Sequence, residues 1–366
     1  MNKKKISKTT LGVVALFLGH LAYAQAPDYR FDSDWPQQPL PNNWWMQSVM
    51  GLDVDHEDTI WVLNRPSGIA NNQDYAQLDP PTGVCCVAPP TIIAFDTEGR
   101  VVDSWDTDPA VWPRLHGLAV DSEGYVWIGS QTVHKYTRQG QPVGSIARVP
   151  EDAAPQGGYP PDTEAVVDQI EDVRIDEEAR EVYFVDNYLN GRVMVHDSDT
   201  LQFKRGWGAY GKPLSEISMD ASSQTYSPTD PPARDFLGHV TLAISNDGLV
   251  YVADRRGNRI QVFTKTGEML NEFTLARETL QRGSAGGLVL SADAEQRHLL
   301  IPDFQNNTVW VMKREDGEVI DRVSGAGGNG GRFHGLHMAD VDSLGNLYTG
   351  EVFASRVQRF LLTNSN

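Results

Sequence analysis

Apolar and polar residues alternate along most of the chain in pairs of short segments separated by Asp-, Ser-, Asn- or Gly-rich turns. Alternation with a period of two predicts β-strands, and a tight turn between two such segments predicts an antiparallel hairpin. The pattern recurs six times, in GLDVDHEDTIWVLN (51–64), GLAVDSEGYVWIGS (117–130), DVRIDEEAREVYFVD (172–186), TLAISNDGLVYVAD (241–254), GLVLSADAEQRHLLIPD (287–303) and MADVDSLGNLYTGE (338–351). No long amphipathic helix interrupts the series.

Six repeated hairpins, most of them followed by a third strand, predict an all-β, six-bladed β-propeller. The last unit ends near Leu362 and leaves no room for a fourth strand, whereas YRFDSDWP (29–36) lies at the other end of the chain. We expect this N-terminal segment to pair with the last blade, because that pairing closes the ring and removes an exposed sheet edge. The propeller is expected to form a single domain over residues 25–366.

The first 24 residues have the composition of a secretory signal peptide. Four lysines precede the apolar run from Leu11 to Leu21, and Ala22-Tyr23-Ala24 supplies the small residues of a cleavage site. We therefore expect residues 1–24 to be removed and the remainder to be periplasmic or secreted. Cleavage would make the formal charge of −18 more negative by four units. Such an acidic protein repels nucleic acid and anionic lipid, so the expected partner is a small molecule or a peptide, bound by a monomer.

Several chemistries are excluded by missing motifs. The chain has two cysteines, Cys85 and Cys86, which are adjacent and cannot link distant parts of the fold. Two glycine-rich stretches, 283–287 and 325–331, do not lead into a helix that could bind a phosphate. No phosphate-binding loop, dinucleotide fingerprint or zinc-finger spacing is present.

Three histidines lie at the starts of alternate repeats. His116 and His337 each precede the turn glycine of their own repeat by eight residues, and His239 precedes its glycine by nine. The first strands of propeller blades line the central channel, so histidines from blades two, four and six would converge at one mouth. Three neutral imidazoles with one open position are a typical catalytic zinc site. The alternative is that they are polar channel residues or strand caps without a metal.

The repeats resemble NHL repeats, most clearly in YVADRRGNRIQVFTKTGE and LHGLAVDSEGYVWIG. The chain as a whole resembles the peptidyl-α-hydroxyglycine α-amidating lyases, six-bladed propellers whose zinc is held by one histidine at each of these positions. The resemblance implies zinc ligands at His116, His239 and His337. It also implies catalytic roles for Arg65 in WVLNRP, Tyr188 in VDNYLNGR and Arg255 in VADRRGNR. The expected function is that of an exported zinc-dependent lyase acting on a carbinolamide or a related α-hydroxy small molecule or peptide.

Two departures from the lyase pattern leave other functions open. His239 is one residue out of register, so a bulge must re-aim its side chain or Val240 takes its place. Met338 stands where the animal enzymes have an aspartate, which bears on whether a structural calcium ion is possible. The alternatives are a metal-dependent, lactonase-like hydrolase on the same fold and a non-catalytic propeller that binds a ligand or a protein.

Overall fold

The structure is a computed structural model that describes residues 26–65, 83–147, 160–164, 167–186, 191–218 and 225–364. It contains six four-stranded antiparallel sheets and, among these residues, only short 3₁₀ turns besides them. This arrangement confirms the predicted all-β, six-bladed propeller. No helix in the described ranges has the length and apolar character needed to cross a membrane.

Each blade consists of four consecutive strands, except that the last blade takes its fourth strand from the N-terminus. Blade 1 contains β2 (Ser48–Val54), β3 (Ile60–Arg65), β4 (Ile92–Phe95) and β5 (Val101–Trp105), and blade 2 contains β6 (His116–Val120), β7 (Val126–Gly129), β8 (Val133–Tyr136) and β9 (Pro142–Ser145). Blade 3 contains β10 (Ile170–Asp176), β11 (Glu181–Asp186), β12 (Arg192–Asp197) and β13 (Phe203–Trp207), and blade 4 contains β14 (Val240–Ile244), β15 (Leu249–Asp254), β16 (Arg259–Thr264) and β17 (Met269–Thr274). Blade 5 contains β18 (Val289–Leu290), β19 (His298–Asp303), β20 (Thr308–Lys313) and β21 (Val319–Val323), and blade 6 contains β22 (Leu336–Val341), β23 (Leu347–Glu351), β24 (Arg356–Leu362) and β1 (Tyr29–Asp32). The 3₁₀ turns are Pro41–Asn43, Pro109–Arg114, Ala209–Gly211 and Leu214–Glu216.

A repeated aspartate shapes the turn between the first two strands of a blade. In blade 2, Asp121 accepts a hydrogen bond at Oδ1 from the Tyr125 amide and at Oδ2 from the Trp127 indole. Asp55 of blade 1 does the same with the amide of Thr59 and the indole of Trp61. The side chain thus satisfies turn amides that the sheet leaves unpaired and fixes a buried aromatic ring.

The hydrophobic core lies between the blades. One cluster joins Ala119 and Trp127 of blade 2 to Val173 and Phe184 of blade 3, and similar clusters join the other neighbouring pairs. Each fully buried large side chain stabilises the fold by about 1.5–3 kcal/mol. Because this packing runs around the ring, the central channel is free to carry polar residues.

The N-terminal strand closes the ring as predicted. Strand β1 pairs antiparallel with β24, with Tyr29 opposite Leu362 and Asp32 opposite Arg359. The carboxylate of Asp32 also forms an ion pair of 2.5 Å with the Arg359 guanidinium. Blade 6 is therefore built from both ends of the described chain, and β1 covers the edge that β24 would otherwise expose.

Candidate functional site

His116 and His337 occupy equivalent places at the start of the first strands of blades 2 and 6. In each blade the pairing of the first two strands shifts register at this point, between His116 and Leu118 and between Leu336 and Met338. Both side chains are buried, and their rings form an edge-to-face contact with centroids 4.7 Å apart. The structure therefore brings these two predicted residues together, because antiparallel pairing places first-strand starts beside second-strand ends at one mouth of the channel.

His239 approaches the mouth from a different backbone position than the sequence indicates. Strands β14 and β15 pair without a register shift, so blade 4 has no bulge to re-aim it. His239 precedes β14 in a left-handed conformation with φ of 55°, and its carbonyl oxygen accepts a hydrogen bond from the Arg255 amide. In blade 6 the carbonyl of Gly335, which has φ of 75°, accepts from the Val352 amide in the same way. His239 thus corresponds to Gly335, two residues before His337, and of the two alternatives the bulge is absent.

Glu171 is a site residue that the sequence reasoning missed. It is the second residue of the first strand of blade 3, at a register shift between Ile170 and Val173, the position that histidine occupies in blades 2 and 6. Its Oε1 lies 2.6 Å from His239 Nδ1 and 3.5 Å from His116 Nε2. Its backbone carbonyl lies 2.6 Å from His116 Nδ1. The signal was present, because Glu171 precedes DVRID as His116 precedes GLAVD, but a search for histidine alone passes over it.

Burial keeps the three imidazoles neutral at pH 7. Desolvation lowers the pKa of His116 to about 4, against the opposing charge of Glu171 and with a smaller contribution from the charge of Arg65. Desolvation also lowers the pKa of His239 and takes that of His337 well below its ordinary value. Burial would raise the pKa of Glu171, but the neighbouring His239 and His116, a hydrogen bond from His239 and the charge of Arg255 bring it below its usual range. The site therefore holds neutral imidazoles around one ionised carboxylate.

Arginines and a phenylalanine complete the described part of the mouth. Arg65 ends β3 and its Nη1 donates to the Leu115 carbonyl over 3.5 Å, beside His116. Arg255 follows β15, is buried, and lies with its guanidinium carbon 5.5 Å from the Phe304 ring centroid. The Phe304 ring in turn meets His337 edge-to-face at 6.1 Å. Arg65 and Arg255 thus flank the histidines, whereas Tyr188 lies outside the described residues.

The three histidines are suitable metal ligands by chemical type, but their side chains are not spaced as ligands of one ion. Within the described ranges, no three His, Cys, Asp or Glu side chains are spaced to hold a metal ion. However, the buried Nδ1 atom of His337 has no hydrogen-bond partner among those residues. Neutral imidazoles with an unsatisfied buried nitrogen suit Zn²⁺. A structural calcium ion has less support, because the Met338 side chain packs in an apolar cluster and offers no oxygen.

Comparisons with known proteins agree with this fold and this resemblance. The NHL-repeat family model matches residues 240–263. Peptidyl-glycine α-amidating monooxygenase B of Xenopus laevis is 24% identical over 339 residues, which are 90% of this chain and 35% of that protein. The corresponding protein of Mus musculus is 22% identical over 330 residues, which are 87% of this chain and 30% of that protein. The chain thus spans about a third of the length of these curated relatives.

A solved streptogramin B lyase structure superimposes with a TM-score of 0.51 at 12% identity, over 92% of this chain and 97% of that one. At this identity the likeness concerns the fold alone. The chain is therefore a six-bladed β-propeller in which residues 240–263 match the NHL repeat. Within that class it resembles the peptidyl-glycine α-amidating enzymes.

Proposed function

We propose that the protein is an exported, zinc-dependent lyase that cleaves a carbinolamide or a related α-hydroxy compound. The observation that carries the proposal is the convergence of His116, His239 and His337 on one channel mouth, with Arg65 and Arg255 beside them. The similarity to amidating enzymes over most of the chain supports the same reaction class. Export is proposed from the signal-like composition of residues 1–24.

The three imidazoles would hold the ion, each through one ring nitrogen. A zinc ion at this place would supply a Lewis acid that lowers the pKa of the substrate hydroxyl group. The neutral state of the imidazoles, which burial maintains, is the state that binds a metal. The site thus needs no proton release from these rings when the ion binds.

The arginines would bind and orient the substrate. A guanidinium can form two parallel hydrogen bonds to a carboxylate, and Arg65 and Arg255 stand on blades 1 and 4, on both sides of the histidines. A substrate carrying a carboxylate next to the reacting carbon would be fixed between them. The cationic mouth contrasts with the net formal charge of −18, so it would also attract anionic molecules to this part of the surface.

The reaction itself requires one proton acceptor and one proton donor. A base removes the hydroxyl proton of the carbinolamide, a carbon–oxygen double bond forms, and the carbon–nitrogen bond breaks. The electron pair passes to the amide nitrogen, which takes up a proton, so the products are an amide and an aldehyde and no redox partner is needed. Tyr188 is the proposed base, because a phenolate stabilised by nearby positive charge can accept that proton.

Zinc content and carbinolamide cleavage test the proposal together. The purified protein should contain one zinc ion per chain and release glyoxylate from N-benzoyl-α-hydroxyglycine. His116→Ala and His337→Ala should lose most of the zinc and the activity while remaining folded. His196→Ala is the matched control: this histidine is equally buried but packs on Phe184 and Phe203 in blade 3, so its replacement should leave zinc unchanged.

Two results would contradict the proposal. Zinc-free protein that still cleaves the substrate would remove the metal from the reaction. Zinc-loaded protein that opens lactones but leaves N-benzoyl-α-hydroxyglycine intact would favour the hydrolase.

The Tyr188→Phe variant tests the proposed base. It should retain zinc and lose turnover, because only the proton-accepting oxygen is removed.

A further inference from the structure

We propose that Glu171 is a positioning residue that sets the tautomer of two of the three histidines, placing the proton on Nδ1 and the lone pair on Nε2. The consequence for metal binding rests on the proposed function, whereas the tautomers themselves do not. Glu171 acts through two different groups, its main-chain carbonyl and its side-chain carboxylate. One residue of blade 3 thereby orients histidines of blades 2 and 4.

The main-chain carbonyl fixes His116. His116 Nδ1 lies 2.6 Å from the Glu171 carbonyl oxygen, in a buried contact. A carbonyl oxygen can only accept, so Nδ1 must carry the proton. In a neutral imidazole the lone pair then sits on Nε2, which becomes the nitrogen able to bind a metal ion.

The side-chain carboxylate fixes His239. His239 Nδ1 lies 2.6 Å from Glu171 Oε1, and the Glu171 side chain is only 2% exposed. Because the carboxylate accepts, His239 also carries its proton on Nδ1. A histidine that donates Nδ1–H to a carboxylate and presents Nε2 to the metal is a recurring arrangement in metal sites, where the carboxylate orients the ring and raises its basicity.

The backbone around Glu171 is held so that both contacts persist. The next residue, Asp172, accepts from the Leu242 amide of blade 4 and pairs with Arg174 over 3.0 Å. On the other side, Gly117 approaches so closely that a Cβ atom there would lie 3.0 Å from the Glu171 carbonyl oxygen. The glycine after His116 thus permits the close approach of blades 2 and 3 on which the His116 contact depends.

His337 is oriented differently from the other two. It touches His116 and Phe304 through ring contacts, and its buried Nδ1 has no hydrogen-bond partner among the described residues.

The two Glu171 contacts differ in what a side-chain replacement removes. Replacing the Glu171 side chain should change the tautomer of His239, which depends on the carboxylate, and leave that of His116, which depends on the main-chain carbonyl, unchanged. This difference gives the proposal a signature that general destabilisation would not produce.

Nitrogen-15 spectra of histidine-labelled, metal-free protein test the tautomers. In the wild type, His116 and His239 should both show the Nδ1–H pattern. Glu171→Leu should abolish that pattern for His239 and preserve it for His116, whereas Glu171→Gln, whose amide oxygen can still accept, should preserve both. A Glu171→Leu protein in which His239 keeps the Nδ1–H pattern would overturn the proposal.

Zinc titration against a chelating dye tests the consequence for the ion. Glu171→Leu should weaken zinc binding by about 10–100-fold, the usual effect of removing such a partner. Glu171→Gln, whose amide oxygen can still accept a hydrogen bond from His239, should stay closer to the wild type. Equal losses in both Glu171 variants, with a changed visible spectrum of the cobalt-substituted protein, would make Glu171 a direct ligand and overturn its positioning role. A wild type that binds no zinc would instead remove the proposed function, and the tautomer spectra would still decide the role of Glu171.

Discussion

At the scale of single residues, the sequence identifies a side chain when the repeat fixes its place and fails when the backbone departs from the repeat. His116 and His337 could be predicted because each follows an apolar residue at the same distance from its turn. The orientation of His239 could not be predicted. The residue has a left-handed φ and precedes a strand without a bulge, and the pattern of apolar and polar residues does not indicate either feature. Glu171 shares the histidines' position but not their chemistry, so only the contacts reveal its part in the site.

Gly117 offers a residue-scale prediction, since it combines a left-handed φ of 72° with a close approach to blade 3. In Gly117→Ala the new Cβ would meet Asp172 Cα at 2.9 Å. Gly124→Ala is the matched control, because Gly124 has φ of 84° but its Cβ would meet only Arg138 side-chain atoms, at 3.9 Å or more. Both variants incur the left-handed strain, and overpacking should cost Gly117→Ala about 1–3 kcal/mol more. Urea unfolding measures the difference, and equal losses would show that blade 3 yields at this contact.

At the scale of elements, the hairpins and the closure could be predicted, whereas the outermost strands could not. The first two strands of each blade are buried and alternate clearly, but an outer strand such as Pro142–Ser145 is short and mostly exposed. Blade 5 also departs from the pattern: its first strand is reduced to Val289–Leu290, and just before it the Gly286 amide donates to the Pro302 carbonyl. Hydrophobic patterning therefore predicts the parts of a blade that form the core and is weak at its rim.

The closing strand offers an element-scale prediction. Phe31 of β1 pairs with Phe360 of β24, and the two rings lie 5.7 Å apart. Phe31→Ala should lower the free energy of unfolding by about 1–3 kcal/mol, less than for a fully buried phenylalanine because Phe31 is half-buried. Leu270→Ala, on the outer strand of blade 4 at 51% exposure, should change it by no more than about 0.5 kcal/mol. Equal effects in chemical denaturation would mean that this contact adds nothing to ring closure.

At the scale of the whole molecule, buried and half-buried carboxylates connect blades along the channel. Asp53 accepts from the Val120 amide of blade 2, Asp340 from the Val54 amide of blade 1, and Asp172 from the Leu242 amide of blade 4. The guanidinium of Arg174 pairs with Asp172 and attracts the other two. Three pairs of neighbouring first strands are thereby tied by a side chain as well as by apolar packing. Three carboxyl groups and one guanidinium close together leave an excess of negative charge.

That excess makes the stability of the ring depend on pH. Burial, with the repulsion of Asp340 added, raises the pKa of Asp53 to about 7. The unfolded chain releases this proton near pH 4, so between about pH 4 and 7 the folded state binds more protons at this group, and its contribution to stability falls as the pH rises. Asp53→Asn keeps an oxygen for the Val120 amide and removes the charge. Relative to the wild type, its free energy of unfolding should therefore increase steadily across that window, by about 1–3 kcal/mol in total.

Urea unfolding of both proteins at pH 5, 6, 7 and 8 measures this difference, and Asp34→Asn serves as the control because it removes the same charge from an exposed position. The control should differ from the wild type by no more than about 0.5 kcal/mol and show little trend with pH. A difference between Asp53→Asn and the wild type that stays constant or shrinks as the pH rises would show that Arg174 neutralises the cluster fully. The hydrogen bonds to the channel carboxylates would then join the blades at every pH, and the charge on Asp53 would not reduce the free energy of unfolding.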